Sequence, residues 1–157
     1  MLYAVMKSLH ILTVALFLGN VITGVFWKEH ADRTRDPKIM AHTMSGIIGS
    51  DRIFTIPSVI LITVFGFVAA VLGGYPILGT SWIWQSIVLF IISGIVFSAQ
   101  LAPLQRKMRD VAAKGAETGS FDADGYRRLS RRWGLWGAVA TLAPLGALFL
   151  MVMKPVH

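Results

Sequence analysis

From Ile53 to Gln105 the chain contains no Lys, Arg, Asp or Glu. So long an uncharged stretch does not suit a water-soluble domain, in which about a quarter of the residues are charged. Residues 8–27 and 133–153 are equally free of charge. A helix needs roughly 20 mostly apolar residues to cross a hydrocarbon core of about 30 Å, and these stretches have that length. With 55% hydrophobic and 15% charged residues and no cysteine, a soluble enzyme, a disordered regulator and a disulfide scaffold are all excluded. The chain reads as an integral membrane protein.

The run 53–105 is too long for one crossing. Gly73-Gly74-Tyr75-Pro76 and Gly79-Thr80-Ser81 supply turn chemistry in its middle. Four spans result, at about 2–27, 53–72, 82–103 and 133–153, forming a single integral membrane domain over residues 1–157. The first run follows Lys7 as a signal peptide might, but it is long and no small-x-small site follows, so it reads as a retained helix. The expected fold is all-α, an antiparallel four-helix transmembrane bundle.

Orientation follows from the basic residues. Five lie in 28–52 and eight in 104–132, leaving Lys7 and Lys154 of the fifteen, and the 73–81 turn has none. Both basic segments are therefore expected in the cytoplasm, with both termini and the 73–81 turn outside. Topology accounts for the net charge of +7 without a nucleic-acid partner. Trp82 and Trp84 at one interface, and Trp27, Trp133 and Trp136 at the other, fit aromatic belts.

The basic segments also carry pattern. Pro37 can open a helix through Met40, Met44 and Ile47. Leu104, Met108, Val111 and Ala112 continue the third span at helical spacing until Gly115–Gly119 breaks it. Asp122 is the expected N-cap of a basic lead-in, Tyr126–Arg132, to the fourth span. That run anchors topology, and it can also meet anionic lipid head groups.

Polar groups within spans are costly and tend to face the bundle interior, so each is a functional candidate. Tyr3, Met6, Lys7, His10, Thr13, Phe17, Asn20 and Gly24 share one face of the first helix; Leu9, Leu12, Leu16 and Ile22 lie opposite. Imidazole suits haem iron, copper or zinc, and the bland alternative is a histidine hydrogen-bonded inside the bundle. Spans two to four contain no histidine, and His30, His42 and His157 lie outside the spans, so a bis-histidine haem is excluded. Met151 and Met153 match His10 in depth, though methionine in an apolar helix is usually packing. Lys7 and Lys154 either anchor the outer rim by snorkelling or hold carboxylates above His10. Asn20 is expected to bond across the bundle. Asp51 and Arg52 are expected to pair with loop charges, leaving no embedded carboxylate and hence no conventional proton-coupled transporter. Pro57 and Pro144 free the carbonyls of Ile53 and Ala140, for which Ser58 and Thr141 are nearby donors. Gly66, Gly73, Gly134 and Gly137 read as close-packing positions.

Lys7-Ser8-Leu9-His10-Ile11-Leu12, the segment Asp51-Arg52-Ile53-Phe54-Thr55-Ile56-Pro57 and the ending Met151-Val152-Met153-Lys154-Pro155 resemble a bacterial family of predicted integral membrane proteins, domain-of-unknown-function family 2269, over essentially the whole chain. More distantly the chain resembles the HemJ-type protoporphyrinogen oxidases and the membrane domain of copper-resistance D proteins. The HemJ likeness implies haem b, with His10 as axial ligand and Lys7 and Lys154 at matching positions. The chain departs from that pattern in span three, where Trp84-Gln85-Ser86 and Val96-Phe97-Ser98 replace a basic residue and a later histidine. The resemblance thus implies a small haem b-binding protein of a bacterial inner membrane, its termini periplasmic, with a redox or porphyrin-handling role. His10 is its metal ligand, and Lys7, Lys154, Asn20 and Met151 are its other cofactor-binding candidates. The alternative is a non-catalytic scaffold or small subunit without cofactor, packed on itself or on a membrane partner protein in the lipid bilayer.

Overall fold

The computed structural model describes residues 1–155, so His157 lies outside the described residues. Four helices among these residues are long and apolar enough to span a membrane: α1 (Leu2–Thr34), α2 (Pro37–Leu72), α3 (Ser81–Thr118) and α4 (Ala123–Met153). No strand occurs among the described residues. The expected all-α four-helix bundle is therefore what the chain forms, with the turn between α2 and α3 at the Gly-Pro segment.

The helices exceed their spans. At about 1.5 Å per residue, the 36 residues of α2 and the 38 of α3 reach about 54 and 57 Å, well beyond a hydrocarbon core of about 30 Å. Their excess lies at the basic end, where the segments between spans are helical almost throughout. Arg35 ends α1 in the left-handed region (φ 54°), and Asp36 caps α2 by accepting the Lys38 N–H, with Pro37 in the first turn. α3 runs through Gly115 and stops at Gly119 (φ 69°), and Asp122 caps α4 from the Gly125 N–H.

Two π-helical turns interrupt the spans, Asp51–Thr55 in α2 and Phe97–Leu101 in α3. Each lies just before a proline, Pro57 or Pro103, whose ring blocks the normal helical bond and clashes with the preceding turn. The turn widens in response: Ile56 N–H donates to the Asp51 carbonyl and Ala102 N–H to that of Phe97, five residues back.

Burial is uneven along the bundle. The larger core lies at the basic end, where Ala31, Met40, Met44, Leu104, Met108, Ala112, Tyr126 and Trp133 pack together, while the apolar half has the smaller cluster Phe17, Leu18 and Ile62. The physics differs at the two ends. Water drives apolar side chains inward, whereas lipid gives them no reason to leave the surface. Leu12, Leu16, Ile22, Phe67, Ile95 and Phe149 accordingly face outward.

One ionic cluster ties α1 to α4 at the basic end. Lys28 is only 3% exposed and meets Asp32 at 2.7 Å and Glu29 at 3.2 Å; it also donates to Ser130 and lies 5.4 Å from the Trp133 ring. Tyr126 donates its hydroxyl to Asp32 at 2.7 Å. Burial, reinforced by Asp32, pushes the Tyr126 phenol's ionisation upward, so it remains a donor. The expectation that Trp133 sits in an interfacial belt is therefore corrected: it is buried against Lys28.

Candidate functional site

The polar stripe of α1 faces inward as its periodicity requires. Thr13 and Phe17 are buried; Tyr3, Met6, His10 and Asn20 are half-buried; and Lys7 is exposed. His10 crosses to α2, its Nδ1 lying 2.9 Å from the carbonyl oxygen of Ile62. A carbonyl can only accept, so Nδ1 carries the proton and Nε2 holds the lone pair. No hydrogen-bond partner engages Nε2, and Trp133 Nε1 is the one buried side-chain polar atom left without a partner among the described residues. Nε2 is thus open rather than sealed.

Gly66 makes this approach possible. A Cβ there would lie 2.8 Å from His10 Cε1 and 2.9 Å from Nδ1, closer than packed atoms tolerate. Gly73 plays the same part nearer the termini, where a Cβ would come within 2.9 Å of both the Tyr3 and Tyr75 rings. Gly66 and Gly73 are therefore close-approach positions, as expected, whereas Gly134 has open space around it and Gly137 only an ordinary contact with Leu101.

The two outlying lysines meet that aromatic rim. Lys7 Nζ lies 6.0 Å from the Tyr3 ring centre, and Lys154 Nζ lies 5.6 Å from those of both Tyr75 and Trp82. Since Tyr3 and Tyr75 flank Gly73, both cations belong to one end of the bundle. Met151 is half-buried on α4. Among the described residues no group of three or more His, Cys, Asp or Glu is placed to hold a metal ion. A site built on a single protein nitrogen, as for haem iron, is the kind His10 can offer.

Asn20 belongs elsewhere. About 15 Å further along α1 at about 1.5 Å per residue, it joins a second polar cluster on the π turn of α2. Its Nδ2 donates to Thr55 Oγ1 (2.9 Å) and Asp51 Oδ1 (3.4 Å), and Ser50 donates to its Oδ1. Thr55 Oγ1 donates to Asp51 Oδ1 at 2.7 Å, and Gln105 Nε2 of α3 to Asp51 Oδ2 at 2.9 Å. Asp51 is 8% exposed and Gln105 5%, and no ion pair involves Asp51 among the described residues. One expectation is corrected here: Asp51 does not pair with loop charges but is buried among neutral donors. Asp51 continues the buried helical stripe of Met40, Met44 and Ile47, and Thr55 follows one turn later on the same face. That spacing was the available signal in the sequence. Gln105, the last residue of the uncharged run, carried none.

A cleft of about 270 Å³, lined by residues including Asn20, Ser50, Thr23 and His42, opens beside this cluster. A second, of about 360 Å³, lies at the basic end against Arg128 and Arg132. Neither is lined by His10.

No curated protein and no solved structure matches the chain. A family model described as a predicted integral membrane protein (DUF2269) matches residues 4–155. With four membrane-length helices and a match across nearly its whole length, the chain belongs to the DUF2269 family of predicted integral membrane proteins.

Proposed function

We propose that this protein binds haem b in a bacterial inner membrane, with its termini periplasmic and its basic end cytoplasmic, and serves a redox or porphyrin-handling role. The observation that carries the reading is the divided use of the His10 imidazole. Its Nδ1–H is committed to the Ile62 carbonyl at 2.9 Å, and its Nε2 is free of any partner. A ligating histidine needs this arrangement, since the second-shell bond fixes the tautomer, orients the ring and raises the basicity of the other nitrogen. The donor chemistry therefore fits an axial haem ligand. Lys7 and Lys154, at one end of the bundle with Tyr3, Tyr75 and Trp82, supply cations for the porphyrin's carboxylates. Met151, half-buried on α4, would be the thioether available to hold such a group. Asn20, engaged with Asp51 and Thr55, supports the bundle instead.

The visible spectrum of protein purified in mild detergent after expression with ample haem tests this reading. The wild type is expected to show a Soret band that His10→Ala loses. A colourless wild type overturns haem binding, and an undiminished band in His10→Ala moves the ligand to another residue.

A second reading, a cofactor-free scaffold, draws on the same hydrogen bond, because it too places His10 in contact with the bundle. It also draws on small residues with open space around them, Gly19, Gly94 and Gly134, which suit a second helix. Crosslinking in native membranes that recovers only monomer counts against it.

A further inference from the structure

The Asp51 cluster is separate from His10 and has no part in the haem reading. It presents an electrostatic problem. A carboxylate that is 8% exposed has lost most of its hydration, and a buried charge without a partner is strongly unfavourable. Its donors Thr55, Asn20 and Gln105 are all neutral. The neighbouring Arg52 and Arg106 are exposed and make no ion pair with it. His42 is exposed and lines the adjoining cleft, and it too is unpaired with Asp51. When ionised, Asp51 has no oppositely charged side chain against it among the described residues.

The same few residues are rich in oxygen. Besides the two carboxylate oxygens, the cluster holds Asn20 Oδ1, Ser50 Oγ and Thr55 Oγ1, linked by hydrogen bonds. Each hydroxyl keeps lone pairs after donating its proton. Rotation of the Asn20 amide exchanges its nitrogen for its oxygen on the side facing Asp51 and Thr55. Hard cations take such all-oxygen surroundings. The charge selects the valence, because one carboxylate balances a single positive charge and a divalent ion would leave a buried excess. Asn20 and Ser50 also line the 270 Å³ cleft, which gives a small hydrated ion a route to them.

We propose that Asp51, Asn20, Ser50 and Thr55 form a binding site for a monovalent alkali cation of the size of Na⁺, entered from the basic end through the cleft beside Asn20. The bound ion neutralises Asp51 and ties the π turn of α2 to α1.

Thermal unfolding of the full-length protein in detergent, followed by tryptophan fluorescence, tests this. Sodium chloride is titrated against choline chloride at matched ionic strength. A ligand that binds only the folded state raises the unfolding temperature in a saturable way. The wild type is therefore expected to gain several degrees in sodium over choline. Asp51→Asn, which removes the charge and keeps the shape, is expected to lose that gain while unfolding no earlier than wild type in choline. Should Asp51→Asn fail to fold, Ser50→Ala and Thr55→Val, which keep the carboxylate, must each move the midpoint of the sodium titration to higher concentration. Equal unfolding temperatures in sodium and choline overturn the proposal, as does a sodium effect that survives in these variants. Stabilisation by acid alone, with no sodium dependence from neutral to mildly acidic pH, makes Asp51 a proton site and likewise overturns it.

Discussion

A single absent Cβ decides whether His10 can reach α2. At Gly66 the imidazole occupies the volume a side chain would take, with Cε1 only 2.8 Å from where that carbon would stand. Gly66→Ala therefore has to displace the ring and break the bond to the Ile62 carbonyl. Overpacking of this kind costs about 1–3 kcal/mol. Residues in contact fail to add, so the same substitution made together with His10→Ala, which empties the space, should cost far less. Equilibrium unfolding of the four members of that cycle checks it, and equal costs in both backgrounds refute the contact. That His10 turns into the bundle was legible in the sequence, since an imidazole inside an apolar span has few ways to be satisfied. Its partner was not, because a backbone carbonyl has no sequence signature. Asp51 shows the opposite error. Next to Arg52 at the end of a span it has every mark of a surface charge, yet it continues the buried stripe of Met40, Met44 and Ile47.

Helices in this protein are governed by their prolines as much as by their apolar length. The ends of α2, α3 and α4 at the basic end follow legible chemistry: Asp36 with Pro37, Gly119, and Asp122. The π turns preceding Pro57 and Pro103 were not legible, since proline signals a disturbed turn without saying whether it kinks, breaks or widens. Pro144 gives a third outcome. The Ala140 carbonyl it frees accepts from Ser93 Oγ of α3 at 2.6 Å, rather than from the local Thr141 that the sequence suggested. Interhelical bonds of this sort in membranes contribute about 0.6–2 kcal/mol. Ser93→Ala is expected to destabilise by that amount. Adding Pro144→Ala, which restores an N–H for the Ala140 carbonyl, should recover most of it. If the double variant is no more stable than Ser93→Ala, the freed carbonyl is not the reason for the serine.

At the level of the whole molecule, charge placement makes a topological claim that can be read in intact cells. The chain contains no cysteine, so single cysteines report without interference. Leu78, 87% exposed in the turn between α2 and α3, belongs to the same end as the termini, and exposed Glu117 at the end of α3 to the other. A membrane-impermeant maleimide added to intact cells is expected to label Leu78→Cys at once and Glu117→Cys only after lysis. The reverse pattern inverts the orientation proposed above. The count of four spans was legible because the cost of charge in hydrocarbon leaves few alternatives. The location of the main core was not, because apolar residues crowd the spans and are sparse among the charges that surround that core.

The placement of that core has a consequence for how the protein is made. Its buried residues come from all four helices, and the Lys28–Asp32–Tyr126 cluster joins the first helix to the last. All these parts must therefore arrive on one side of the bilayer before any can be covered. A nascent chain with one hairpin threaded the wrong way leaves Met44, Met108 and Trp133 uncovered, with the Lys28–Asp32 pair deprived of Ser130 and Tyr126. Packing at the basic end thus acts as an inspection of insertion: only correctly threaded chains hide the surfaces that chaperones and proteases recognise.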